Sequence, residues 1–119
     1  MTWYAAHAIM YVKFKDSVQD KYPVWENIIL IEAQSDEEAF RKAEERAKED
    51  EGDSKETFTW QGRPATWIFA GIRKLVDFES PTDGPKDGME VTYLQMEVDT
   101  EESLTKLVNG ESVTIRYEV

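Results

Sequence analysis

The chain has 119 residues, with 25 acidic and 14 basic side chains, one histidine and no cysteine, and we expect a single domain over 1–119. The formal net charge of -11 disfavours nucleic acid and anionic membranes as partners, because both repel a negative protein. The lack of cysteine excludes disulfides, thiol catalysis and thiolate metal sites and, with no targeting segment or long apolar run, predicts a cytoplasmic location.

The first half of the chain predicts two strands and a helix. Residues 2–14 and 24–33 are rich in aromatic and β-branched types, and we expect them to pair as a hairpin across the polar stretch 16–23. Ser35 and Glu38 have the spacing of a capping box. A helix over about 36–49 follows, with an apolar stripe of alanines and one phenylalanine at helical spacing: Ala39, Phe40, Ala43 and Ala47.

The second half predicts a hairpin and a further strand, helix and strand. We expect Phe58 and Trp60 on a short strand before the turn signal Gln61-Gly62-Arg63-Pro64. A long strand over 66–78 carries Gly71, which indicates a bulge or a close backbone approach. Residues 80–88 are too rich in proline and glycine to be regular. A strand over 91–98, a helix ending near Gly110 and a strand over 113–119 complete the chain.

This order predicts an α+β fold. From Val24 onward the elements spell β-α-β-β-α-β, the ferredoxin-like order, in which an antiparallel sheet carries two helices on one face. The strand over 2–14 is then an extra N-terminal strand, and the segment around Trp60 is an inserted hairpin.

Two helices cover only one face of such a sheet, yet the opposite face of the first strands is also apolar. The side chains expected there are Trp3, Ile9, Tyr11, Val24, Ile28 and Leu30. A surface of this kind is covered by a partner or by the chain itself. We expect a homodimer through this face; the alternative is that the hairpin with Trp60 and Trp67 curls back over it.

Several segments together resemble a known family. They are Trp-Tyr-Ala-Ala-His near the start, Val24 to Asn27, Ala39 to Glu45, Gly62 to Trp67, Ala70 to Lys74, and Leu107 to Gly110. The chain is similar, over nearly its whole length, to the bacterial domain-of-unknown-function family 4288. The resemblance implies a small bacterial cytosolic protein, and it implies no activity, cofactor or catalytic residue.

Known catalytic and metal motifs are missing from the sequence. His7 is the single histidine, no Gly-x-Ser-x-Gly turn or phosphate-binding glycine loop occurs, and zinc lacks ligands. We therefore predict no catalytic residue, no metal and no cofactor. His7 is either a ligand-binding or acid–base residue or, given its neighbours Ala5 and Ile9, a structural histidine on a sheet face.

The segment 32–56 holds eleven carboxylates and five basic residues, a net of -6 that is more than half of the chain's charge. The solvated face of a helix explains this cluster most simply. A docking face for a basic partner and a calcium site around Glu49, Asp50, Glu51 and Asp53 are the alternatives, although the spacing of a calcium loop is absent.

Tryptophan and arginine cluster around the predicted hairpin, at Trp60, Arg63, Trp67 and Arg73. Arginine beside tryptophan stacks by cation–π contact or binds a carboxylate with two hydrogen bonds. These residues form either a ligand or partner site, or a core whose arginines pair with local acids.

Three functions stay open. The first is a non-enzymatic binding or regulatory module that uses the apolar sheet face and the hairpin to contact a protein. The second is an acidic inhibitor or immunity-type protein that masks a basic partner, with fast, salt-dependent association. The third is an anion binder or enzyme with a pocket near Arg63 and Arg73.

Overall fold

The computed structural model describes residues 1–16, 18–53, 55–78 and 84–118. The protein is α+β, as predicted. Its elements in chain order are β1 (Thr2–Phe14), β2 (Val24–Ala33), α1 (Asp36–Lys48), β3 (Thr59–Trp60), β4 (Arg63–Phe78), β5 (Gln95–Glu97), α2 (Glu101–Val108) and β6 (Arg116–Glu118).

The main sheet has four strands in the order β2-β1-β4-β3, and each neighbouring pair is antiparallel. β1 pairs with β2 from Thr2↔Ala33 to Tyr11↔Val24, which confirms the predicted hairpin. On its other side β1 pairs with β4, from Trp3↔Phe78 to Phe14↔Ala65. The most apolar strand of the chain therefore lies inside the sheet, where both its edges are hydrogen-bonded.

Helix α1 lies on one face of this sheet and buries alanines against it. Ala39 and Ala43 are fully buried and form a core with Tyr4, Ala6 and other sheet residues. Because alanine has only a methyl side chain, the helix axis can approach the strands closely. Phe40, predicted to be in the same stripe, is 42% exposed instead.

The predicted cap of α1 is present. The Ser35 hydroxyl accepts a hydrogen bond from the Glu38 amide at 3.1 Å. This bond satisfies one of the free amides of the first turn. Acidic residues in that turn also face the positive end of the helix dipole.

The predicted ferredoxin-like βαββαβ topology is not confirmed. β5 and β6 pair with each other in a separate two-stranded antiparallel sheet instead of joining the main one. Both edges of β1 are already taken by β2 and β4, so the late strands cannot pair with it. β3 pairs only with Arg63 and Pro64, and among the described residues no strand pairs with the outer edge of β2. The late strands nevertheless pair with each other.

Helix α2 lies between β5 and β6 in the chain and does not pack on the main sheet as α1 does, so the two helices do not share one face. It has no buried residue, and Leu104 and Val108 on its apolar side are 50% and 78% exposed. The radius of gyration is 17.2 Å, against about 13–14 Å for a compact chain of this length.

In the described parts of the chain, no helix is long and apolar enough to cross a membrane.

Strand β4 is irregular beside Gly71, as predicted. Its register against β1 shifts between Ile9 and Met10 and again between His7 and Ala8. The second shift leaves Arg73 as an extra residue beside Lys74, which pairs with His7. A bulge of this kind re-aims side chains, and Arg73 and Lys74 both make their contacts on the sheet face that does not carry α1.

Two sequence predictions fall partly outside the described residues. The irregular segment 80–88 includes 80–83, and the last predicted strand ends at 119. Within the described part, that last strand is shorter than predicted and spans Arg116–Glu118.

The two helix caps provide a test of this architecture. Ser35→Ala is expected to lower the free energy of unfolding by about 1 kcal/mol, because α1 packs on the main core. Thr100→Ala removes the matching cap of α2, where Thr100 Oγ1 accepts from the Ser103 amide at 3.0 Å. We expect a much smaller effect there in urea unfolding followed by tryptophan fluorescence. An equal loss in both variants would show that α2 is part of the main cooperative core.

Candidate functional site

Three tryptophans meet on the α1 face of the sheet and form a corner. The ring of Trp25 lies 5.2 Å from Trp60 and 5.0 Å from Trp67, at interplanar angles of 88° and 90°. Phe58 stacks on Trp67 at 5.5 Å. Register explains the meeting, because β1 pairs Met10 with Trp25 of β2 and Val12 with Trp67 of β4. The two indoles thus reach toward each other from strands on either side of β1.

A cavity of about 310 Å³ opens at this corner. Its lining consists of Met10, Trp25, Asn27, Asp50 and Trp67. Met10 is buried, at 2% exposure, whereas Trp25 is 40% exposed. The volume lies at the lower end of the range of small-molecule sites. We call this cavity, with its five lining residues, the tryptophan corner.

The segment after α1 carries Asp50 to the tryptophan corner and is fixed to β4. The Gly52 amide donates to the Trp67 carbonyl at 2.8 Å, and the Trp67 amide donates to the Gly52 carbonyl at 3.5 Å. The Glu51 carboxylate accepts from the Phe69 amide at 2.9 Å. Gly52 has a φ of 90°, which glycine adopts without the penalty of a Cβ. The segment that carries the Asp50 carboxylate is therefore fixed beside the indoles by hydrogen bonds to the backbone of β4.

The tryptophan corner has two polar side chains, and neither is held by a strong contact. Among the described residues, the side-chain amide of Asn27 forms no hydrogen bond. Asp50 pairs with Arg46 at 3.3 Å, but both side chains are about half exposed, and such surface pairs contribute little to stability. A carboxylate, a side-chain amide and two indole rings favour a ligand with positive charge and apolar surface.

Of the residues predicted for the hairpin site, Trp60 and Trp67 both pack against Trp25, whereas Arg63 makes its contacts elsewhere. Its guanidinium donates to Asp16 at 2.7 and 3.0 Å and stacks 3.7 Å from the Phe14 ring. These hydrogen bonds from Arg63 hold the pKa of Asp16 below its ordinary value. Arg63 therefore pins the turn before β2 to the hairpin, as the core-and-ion-pair alternative predicted.

Arg73 and His7 lie on the opposite face of the sheet. Arg73 approaches the Glu26 carboxylate at 3.5 Å and stacks 4.6 Å from the Tyr117 ring. Lys74 donates to the Tyr93 carbonyl at 2.6 Å. The bulge in β4 thus attaches the C-terminal segment to the main sheet. Arg63 and Arg73 are both paired with carboxylates, so neither guanidinium is left unpaired to bind the anion predicted near them.

His7 is fully buried and both its ring nitrogens are hydrogen-bonded. Nδ1 lies 2.7 Å from the Glu26 carboxylate and Nε2 lies 2.5 Å from the Thr92 hydroxyl. Since Glu26 accepts from Nδ1, a neutral ring leaves Nε2 to accept from Thr92. The order hydroxyl, imidazole, carboxylate resembles a hydrolase triad. A fully enclosed imidazole is, however, poorly placed to reach a substrate, and the arrangement favours the structural alternative.

The residues predicted for a dimer face lie on this same side of the sheet, and the chain covers part of it. Gly84 lies against the Trp3 ring, so that a Cβ added to this glycine would be 3.8 Å from the indole. Tyr11 packs edge-on against Tyr22 at 5.6 Å. Ile9 lines a shallow hollow of about 210 Å³.

The rest of the predicted dimer face is open. Ile28 and Leu30, on β2, stay exposed. The Trp60 and Trp67 hairpin does not cover this face, because its tryptophans lie on the α1 side. The alternative in which the hairpin curls back over the apolar face is therefore wrong.

Sequence reasoning missed part of both clusters. Trp25 and Asn27 were not predicted as site residues, and neither were Glu26 and Thr92. Asp50 was named only in the calcium-site alternative. Their proximity depends on strand register and on where the segments after α1 and β4 return, which composition does not encode. The described residues contain no group of three or more His, Asp or Glu side chains placed to hold a metal ion.

Comparison with known proteins places the chain in a family. The model of a family described as a domain of unknown function, DUF4288, matches residues 3–92. The chain belongs to the DUF4288 family. The match includes most of β1, the tryptophan corner and Thr92, and it ends before β5. The Leu107 to Gly110 ending, which the sequence resemblance included, therefore lies outside it.

Two further searches gave no relative to compare. Neither the curated proteins nor the solved structures yielded a match to this DUF4288 chain. Its function is therefore inferred from the geometry of its own residues.

The contact between His7 and Thr92 provides the test of this face. Thr92→Val keeps the side-chain shape but leaves the buried Nε2 without a partner, which costs about 1–3 kcal/mol. We expect the free energy of unfolding to fall and amide hydrogen exchange to rise in residues 84–94. Thr114→Val, at an exposed site of the same C-terminal segment, is the control. Unchanged exchange in Thr92→Val would show that this hydrogen bond does not hold the segment.

Proposed function

We propose that this DUF4288 protein is a non-enzymatic binding module that holds a cationic group of a partner in the tryptophan corner. The observation that carries the proposal is the pair of perpendicular indoles, Trp25 and Trp67, beside the Asp50 carboxylate. Indole faces attract cations through their quadrupole, and a nearby carboxylate adds direct charge attraction.

The charge distribution supports the same partner. Helix α1 leads into the tryptophan corner, and its side chains Glu37, Glu44 and Glu45 form no ion pair within the described residues. With a net charge of -11 over the chain, this face attracts a positive group and repels anions. Masking of a basic protein, the second function left open by the sequence, uses the same surface and differs only in the partner's identity.

Titration with a lysine-rich peptide tests the proposal. The four tryptophans give separate indole N–H signals in NMR, and we expect those of Trp25 and Trp67 to shift while that of Trp3 stays in place. Asp50→Asn is expected to weaken binding about twofold to fivefold, the effect of an exposed charge. Glu45→Gln, on α1, changes the net charge by the same amount away from the cavity and serves as the control.

Two results would contradict this function. One is a peptide that shifts signals over the whole acidic surface and leaves Trp25 and Trp67 in place. The other is an equal loss of affinity in Asp50→Asn and Glu45→Gln, because non-specific attraction depends on net charge alone.

A homodimer is a second proposal, supported by the open edge of β2. Val24, Ile28 and Leu30 lie on one face of this strand and are 54%, 41% and 45% exposed. A long apolar edge strand is a template for pairing with another chain. Antiparallel pairing of two copies centred on Ile28 would set Glu26 beside Leu30 and Glu32 beside Val24, so that no glutamate faces a glutamate.

Light scattering during size-exclusion chromatography tests the dimer. Ile28→Lys is expected to shift the protein to the monomer, because it places two lysines at the centre of the paired edge. Leu104→Lys, at an exposed position of α2, should leave the mass unchanged. Association should strengthen with salt, which screens the repulsion between two copies of charge -11. A wild-type monomer at high concentration and high salt would exclude this interface.

A further inference from the structure

Among the described residues that line the tryptophan corner, few groups are polar. They are the Asp50 carboxylate and the Asn27 side-chain amide, and the other described lining groups are two indoles and the Met10 thioether. The carboxylate is 51% exposed, so it lies at the mouth of the cavity. Met10, at 2% exposure, is among the more deeply buried lining residues.

A hydrogen-bonding cation fits this lining poorly. A primary ammonium carries three N–H donors and a guanidinium carries five. The Asp50 and Asn27 oxygens cannot satisfy all of them, and a donor moved out of water without a partner is penalised. The indole N–H groups are themselves donors, so they do not help.

A methylated ammonium has the opposite properties. A quaternary ammonium has no N–H donor, and its charge is presented through methyl groups. It therefore loses less on leaving water than a primary ammonium does, and it gains contact with the indoles and the thioether while the nearby carboxylate balances its charge.

We propose that the cation recognised by the tryptophan corner is a quaternary, N-methylated ammonium group, held over Trp25 and Trp67 with Asp50 at the mouth. This inference rests on the binding function proposed above and names its ligand class. A trimethylammonium group occurs both on free small molecules and on trimethylated lysine side chains, and both present the same headgroup.

The experiment compares matched probes at constant ionic strength, again through the indole signals of Trp25 and Trp67. Choline is set against ethanolamine, its counterpart with a primary ammonium, and against its neutral carbon analogue, in which tert-butyl replaces trimethylammonium. We expect choline to bind about tenfold more tightly than either. A peptide with trimethyllysine and the same peptide with unmodified lysine make the same comparison between a quaternary and a primary ammonium on a protein side chain.

Variants locate the effect. Trp25→Leu keeps an apolar side chain but removes one indole face, and it should abolish the preference for choline over its carbon analogue. Trp3→Phe changes a tryptophan on the other sheet face and should leave the preference intact. If choline binds more tightly than the trimethyllysine peptide, the source is a small molecule; the reverse order indicates a modified protein.

The inference and the function it rests on fail in different ways. If the lysine-rich peptide shifts Trp25 and Trp67 but ethanolamine binds as tightly as choline, the quaternary ligand is wrong and the cation-binding function stands. If the carbon analogue binds as tightly as choline, the site recognises apolar shape and both proposals fail. Both also fail if no probe moves these two signals.

Discussion

The structure depends on the position of β1 between two partner strands with both of its faces covered. One face meets α1 through small side chains, and the other meets the segment that carries Thr92. A strand in this position cannot tolerate an unpaired polar group, which explains the two hydrogen bonds of His7. The same central strand brings Trp25 and Trp67 together from either side, so the candidate site follows from the core.

The local part of the fold could be predicted from the sequence because local patterns specify it. The long apolar strands, the Ser35 cap and the irregularity beside Gly71 each follow from residues adjacent in the chain. The predicted bounds of β1 and β2 match those observed. The predicted ferredoxin-like arrangement is not confirmed, because the pairing of a strand depends on which strand edges other segments already occupy. Nothing in residues 91–98 shows that β1 is already occupied on both sides.

The candidate site likewise has one part that the sequence predicted and another that it did not. Trp60 and Trp67 were predicted to act together because they flank one turn. Trp25 joins them only through its pairing with Met10, and Asp50 only through the hydrogen bonds between Gly52 and Trp67. Conversely, an anion site at Arg63 and Arg73 was among the predictions because their pairing with Asp16 and Glu26 is not evident before the chain is folded. The contacts between residues distant in the chain therefore favour a cationic ligand, whereas the sequence alone left an anionic ligand among the predictions.

The pairing of β1 with β4 also has a consequence for the time course of folding. β1 and β2 are separated only by residues 15–23 and can pair early, whereas the pairing of Trp3 with Phe78 requires a segment 75 residues further along the chain. Pairing between distant segments slows folding, because the loop must close before its contacts form. Until β4 arrives, the apolar edge of β1 is open, and the nascent chain passes through an interval in which it is prone to aggregate.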